Sequence, residues 1–164
     1  MGKIVSIHSF RGGTGKSNLS ANLAAQVALA GKRVAVIDTD IQSPGIHVLF
    51  GLGSAHGGHT LNQYLRGECK IEEVAYAVGE HASDLPGIQQ LAGKTLWLIP
   101  SSINGQEIAA VVRDGYDVNR LNAGLQTLLK SLKLEYLFID THPGLNEETL
   151  LSVAISDMLI IILR

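Results

Sequence analysis

The chain has 164 residues, 46% of them hydrophobic, and a formal charge of -2. That length and apolar share predict one domain with a substantial core, while the near-neutral balance supplies no global pull toward nucleic acid or acidic membrane. Cys69 is the sole cysteine, which excludes an intramolecular disulfide and any cysteine-based zinc or iron–sulfur site within one chain. The apolar run at Met1 to Ile7 is too short for a signal peptide, and no stretch reaches the roughly 18 apolar residues of a membrane span, so a soluble, cytoplasmic protein is expected. Aromatics at 5% and 18 glycines favour an α/β domain over a β-sandwich.

In chain order, Ile4 to Ser9 reads as a short β-branched strand, Arg11 to Gly15 as a glycine loop, and Lys16 to about Ala30 as a helix stopped by Gly31. Arg33 to Asp38 is a buried-type strand, which completes a right-handed β-α-β unit with parallel pairing. Thr39 to Gly58 reads as an active-site loop and surface excursion, with a short helix around Ile46 to Phe50. Thr60 to Arg66 and Ile71 to Val78 read as short helices and Gly79 to Gly93 as irregular chain. Thr95 to Pro100 is a third strand, followed by helices. Asp117 is an N-cap for a helix to about Leu132, with Leu121, Leu125, Leu128, Leu129 and Leu132 on one face. Tyr136 to Asp140 is a strand, Glu147 to Ser156 a helix and Met158 to Leu163 a last strand. The alternation predicts a three-layer, doubly wound, mostly parallel sheet. The final apolar strand has no helix after it, so the chain is expected to be the N-terminal part of something longer.

The loop carries the chemistry. In Arg11-Gly12-Gly13-Thr14-Gly15-Lys16-Ser17, glycines allow backbone N–H groups to curl round phosphate oxygens, and the helix that follows offers its positive N-terminus. Lys16 would neutralise β/γ-phosphate charge and Ser17 would ligate magnesium; Arg11 to Asn18 form the expected phosphate set. Phe10 stands where the ordinary Gly-x-x-x-x-Gly-Lys-Ser loop has its first glycine. Asp38 and Asp40 sit at the carboxyl end of a strand, where ligands of open α/β sheets collect, and Asp140 ends a hydrophobic run in the manner of a carboxylate that reaches magnesium. Each of Asp38 and Asp40 has a plainer alternative, a loop carboxylate capping the short helix near Pro44.

Ser9 to Ser17 resembles the deviant Walker A loop, Lys-Gly-Gly-x-Gly-Lys-Ser/Thr, of the MinD/ParA ATPase family. The resemblance extends through Asp38-Thr39-Asp40, Thr60-Leu61-Asn62-Gln63, Leu98 to Ser102 and Asp140-Thr141-His142-Pro143-Gly144, and is nearest the MinD and FlhG-like branches. It implies the P-loop NTPase (SIMIBI-like) fold, Mg-ATP and ADP as ligands, slow ATP hydrolysis and an ATP-dependent homodimer. A regulatory protein partner is also implied, with any membrane or DNA association supplied by segments after Arg164. By the same resemblance Asp40 would position the attacking water and Asp38 would support the magnesium shell. Gln42 to Gly45 and Thr141 to Gly144 would be the two switches, with Gly144 presenting its N–H to the γ-phosphate.

Arg11 stands where the family has a lysine that reaches the partner's nucleotide; it either acts in trans with Lys16 and Asp40 in catalysis or is a solvated loop charge. His142 replaces a proline or small residue and reads as an exposed loop histidine, with a proton-sensitive contact as the alternative. His56-Gly57-Gly58-His59 reads as a surface loop rather than a metal site, Trp97 as packing, and Cys69 as an ordinary thiol. Two competing functions remain: a metabolic or metallocentre-maturation ATPase on the same loop, and a nucleotide-binding scaffold without turnover. The nitrogenase iron-protein branch would need two cluster cysteines per subunit.

Overall fold

The computed structural model describes residues 2–52, 57–79, 86–145 and 147–163. The β-branched run at the start forms β1 (Lys3–Ser9), and the glycine loop leads into α1 (Lys16–Leu29), whose end is marked by Gly31 at φ 86°. Then come β2 (Val34–Asp38), a single turn α2 (Ile46–Leu49) and α3 (Leu61–Leu65). After a 3-10 turn at Ile71–Val74 follow β3 (Tyr76–Ala77), α4 (Pro86–Gln89) and β4 (Leu96–Ile99). The chain continues through α5 (Gly105–Asp114), α6 (Val118–Ser131), β5 (Tyr136–Asp140), α7 (Glu147–Ala154) and β6 (Met158–Ile162).

The strands form one sheet in the order β3-β4-β2-β5-β1-β6. Every pairing is parallel except that of β3 with β4. Alternation along each buried strand divides the core in two. Ala35, Ile37, Leu137 and Ile139 face one side with α3, α5 and the leucines of α6. Val34, Val36, Val5, Ile7 and Phe138 face the other with α1 and α2. This is the expected three-layer, doubly wound P-loop NTPase architecture. α1 meets the sheet through Ala21, Ala24 and Ala28, small side chains that let the helix carrying the glycine loop lie close to β1 and β2.

Three expectations need correction. β1 and β2 are parallel but do not pair, because β5 lies between them and hydrogen bonds to both. The segment read as a helix from Ile71 to Val78 is a 3-10 turn followed by β3, since Tyr76 and Ala77 pair with Leu98 and Trp97 at the sheet edge. Within the span read as irregular lies α4, while residues 80–85 fall outside the described residues, as does His56. The N-cap is as read: the Asp117 carboxylate accepts from Asn119 N–H at 2.9 Å.

Candidate functional site

The carboxyl ends of β1, β2 and β5 are adjacent, so the loops that leave them converge. β5 between the other two places Asp140 beside Asp38 in the sheet register, and Ile7 opposite Asp140 on the other side. The glycine loop covers these strand ends. Gly15 is the N-cap residue of α1 at φ 86°, a left-handed conformation that side chains resist, and it offers no capping side chain. No acid occupies the first turn of α1, so its N-terminal N–H groups and positive dipole end face the cleft without a competing anion from that turn. The cleft has a volume of 340 Å³ and is lined by Ser9, Arg11 to Asn18, Asp40, Ser43 and Pro143. Arg11 and Asn18 are exposed in it, and Ser17 is half-buried.

Lys16 is 6% exposed, and its Nζ donates to Asp140 Oδ1 at 2.9 Å. Ser20, one helical turn on, donates its hydroxyl to the same oxygen at 2.8 Å. The ammonium expected at a phosphate and the carboxylate expected at a cation are thus paired with each other, each compensating the other's loss of water. Asp140 Oδ2 and Thr14 Oγ1 are buried with no hydrogen-bond partner among the described residues. A buried carboxylate oxygen without a donor suits a cation or its water, and a buried hydroxyl beside a glycine loop suits a phosphate oxygen. The residues present therefore fit a phosphate chain with a divalent cation.

Asp38, expected either in a magnesium shell or as a cap, makes the hydrogen bonds of a cap. Its Oδ1 accepts from Asp40 N–H at 3.0 Å, and its Oδ2 from Gly45 and Ile46 N–H at 3.1 and 3.4 Å. Both oxygens are taken by the loop that folds back onto them, so Asp38 ties down residues 40–46 in the capping manner. Burial, with the neighbouring Asp140 carboxylate adding to it, pushes Asp38 up to about 7 against the partial relief of these N–H groups. Gly144, the residue expected to face the γ-phosphate, sits at φ 93° and its N–H donates to Ser9 carbonyl at 3.0 Å.

Asp40 is 7% exposed and its Oδ1 accepts from Ser43 N–H at 3.2 Å. His142 Nδ1 lies 2.7 Å from the same oxygen, so the histidine read as exposed is half-buried against the carboxylate read as catalytic. His8 escaped the sequence reading. It is 3% exposed beside Thr141, whose hydroxyl donates to Ile7 carbonyl at 2.9 Å and so accepts from His8 Nδ1, also at 2.9 Å. Burial first, then Lys16 and His142, holds the His8 imidazole below its ordinary range. Ser20 was missed as well; the signal was its position one helical turn after Lys16, which places both on one face of α1. His59, read as loop, bonds Gln63 Oε1 through Nδ1 at 3.1 Å, and half-buried Trp97 carries Arg33 over its ring at 5.2 Å.

With that geometry in place, a family model described as an AAA domain matches residues 2–164. The flagellum site-determining protein YlxH of Helicobacter pylori is 30% identical over 160 residues, covering 98% of this chain and 47% of its own length. The sporulation initiation inhibitor protein Soj of Bacillus subtilis is 29% identical, covering 98% of this chain and 58% of its own. The chain belongs to the MinD/ParA family of P-loop ATPases. Its fold matches that of the septum site-determining protein MinD of Pyrococcus horikoshii, solved with Mg-ADP, at a TM-score of 0.77 and 22% identity over 99% of this chain and 58% of that one. The chain spans about half the length of these MinD/ParA relatives. No helix among the described residues is long and apolar enough to cross a membrane.

Proposed function

We propose that this chain is the nucleotide-binding unit of a slow, ATP-dependent dimerising switch that positions cellular machinery in the cytoplasm. The observation that carries the reading is the convergence of the glycine loop, Lys16 and Asp40 on one cleft at the carboxyl ends of β1, β2 and β5, with Asp140 buried behind it and paired with Lys16. In this reading the N–H groups of Gly12 to Ser17 bind the phosphate chain, with Asn18 beside them. Lys16 turns from Asp140 to the β/γ-phosphates, and Ser17 with Asp140 Oδ2 holds the cation. Magnesium, when bound, supplies charge neutralisation at the phosphates. Asp40 orients the attacking water, and Arg11, exposed on the cleft, reaches the nucleotide of a second copy. The site-determining and initiation-control roles in the relatives' names support a positioning function, exercised through a regulatory protein partner.

Two measurements test this. Light scattering should give a monomer mass with Mg-ADP and a dimer mass with Mg-ATP; a monomer with both would remove the switch. Phosphate release should be slow in the unmodified chain and fall at least about a hundredfold in Asp40→Ala, the low end for loss of a group that acts on the transferred proton. Equal rates would remove Asp40 from catalysis, and no release from either would leave a nucleotide-binding scaffold.

A further inference from the structure

Asp40 and His142 lie in different loops, one after β2 and the other after β5, and are brought together because β2 and β5 are neighbours in the sheet. Their side chains are 10% and 22% exposed, with His142 Nδ1 2.7 Å from Asp40 Oδ1. A carboxylate accepts only, so the imidazole Nδ1–H is the donor. Ser43 N–H donates to the same oxygen at 3.2 Å, and neither bond uses Oδ2.

His142 is itself held. Its carbonyl accepts from Thr149 Oγ1 of α7 at 3.2 Å, and Pro143 after it narrows its backbone freedom. A donor on a tethered backbone is therefore aimed at one oxygen of a carboxylate that borders the phosphate cleft.

We infer that His142 is a positioning residue for Asp40: its Nδ1–H fixes Oδ1 and so turns Oδ2 toward the water that Asp40 orients. This rests on the role of Asp40 proposed above. A carboxylate free to rotate would spend most of its time misdirected, and misplacement on the scale of 1 Å costs about a hundredfold in rate. The arrangement also joins the two loops, so that a shift of one is felt by the carboxylate of the other.

The test is ATP hydrolysis and nucleotide affinity in the intact protein for His142→Ala, His142→Asn, Asp40→Asn and the double variant His142→Ala with Asp40→Asn. Asparagine carries an N–H at the place of Nδ1. The expected result is a loss of about ten- to a hundredfold in kcat for His142→Ala at unchanged nucleotide Kd, with most of it regained in His142→Asn. In the Asp40→Asn background, His142→Ala should change nothing further. Should His142→Ala fail to bind nucleotide, His142→Leu, close in volume and without a donor, replaces it.

Unchanged kcat in His142→Ala, equal impairment of His142→Asn, or additive losses in the double variant would each overturn the inference while leaving the ATPase reading in place. No turnover in the unmodified protein would overturn both.

Discussion

Asp38 and Asp140 end neighbouring strands and face each other in the register, at 0% and 1% exposure. Two carboxylates so close and so dry cannot both be left bare, and the protein treats them differently. Asp140 receives Lys16 and Ser20, whereas among the described residues Asp38 has backbone N–H groups alone, and it is pushed up to about 7. The folded chain therefore holds a proton on Asp38 that the unfolded chain releases near pH 4, at the ordinary carboxylate value. Between these values the native state binds more protons than the unfolded state, so stability falls as pH rises from about 4 to 7 and is level above. The slope from one such group is at most about 1.4 kcal/mol per pH unit. Urea unfolding of metal-free protein at pH 5 and pH 8 should show a larger loss for the unmodified chain than for Asp38→Asn; equal losses would place the carboxylate in wetter surroundings.

At the scale of the element, α6 shows how local signals and packing divide the work. Its Asp117 cap and its leucine stripe are plain in the sequence, and Leu121, Leu125, Leu128 and Leu129 are all buried. Gly124, in the middle of that helix, has no local reason to be glycine. The reason lies in α3: a Cβ at position 124 would stand 2.8 to 2.9 Å from the Tyr64 ring and hydroxyl. That ring is held by its hydroxyl donating to Arg120 carbonyl at 2.7 Å and by the Arg120 guanidinium 4.8 Å from its centroid. Gly124→Ala adds about 1 kcal/mol of helix propensity but forces this ring to move, at about 1 to 3 kcal/mol. The melting temperature should drop; a rise would mean the ring gives way freely.

For the whole molecule, the two cores have unequal bearing on the site. α1 begins at the glycine loop and packs through Ala24, which is fully buried. Leu125 fills the opposite core, on the far face of the sheet. Ala24→Leu should cost about 1 to 3 kcal/mol by overpacking and, by lifting α1, also weaken nucleotide binding. Leu125→Ala should cost about 2 to 5 kcal/mol in stability and leave that affinity unchanged. Fluorescent-nucleotide titrations beside denaturation curves would tell the two apart; a loss of affinity in Leu125→Ala equal to that in Ala24→Leu would mean both cores support the loop.

Strand and helix identities were legible wherever hydrophobic period and punctuation agreed, as at β1, α1, β2, α6 and β5, because those signals depend on neighbours in the chain. The short β3 was not, since two residues become a strand only through pairing with Leu98 and Trp97. At the site, the residue types and spacing of Gly12 to Ser17, Asp40 and Asp140 pointed to the phosphate and cation site proposed above, because that chemistry demands those groups. Partner choice was invisible. That Lys16 meets Asp140, that Asp38 binds its own loop, that Gly144 turns back to Ser9 and that His142 meets Asp40 depend on β5 entering between β1 and β2. Sequence alone determined which groups the proposed site draws on and which elements carry them. Tertiary structure decided which of those groups face each other, because strand order in the sheet is set by burial of both its faces and has no signature in any local stretch of chain.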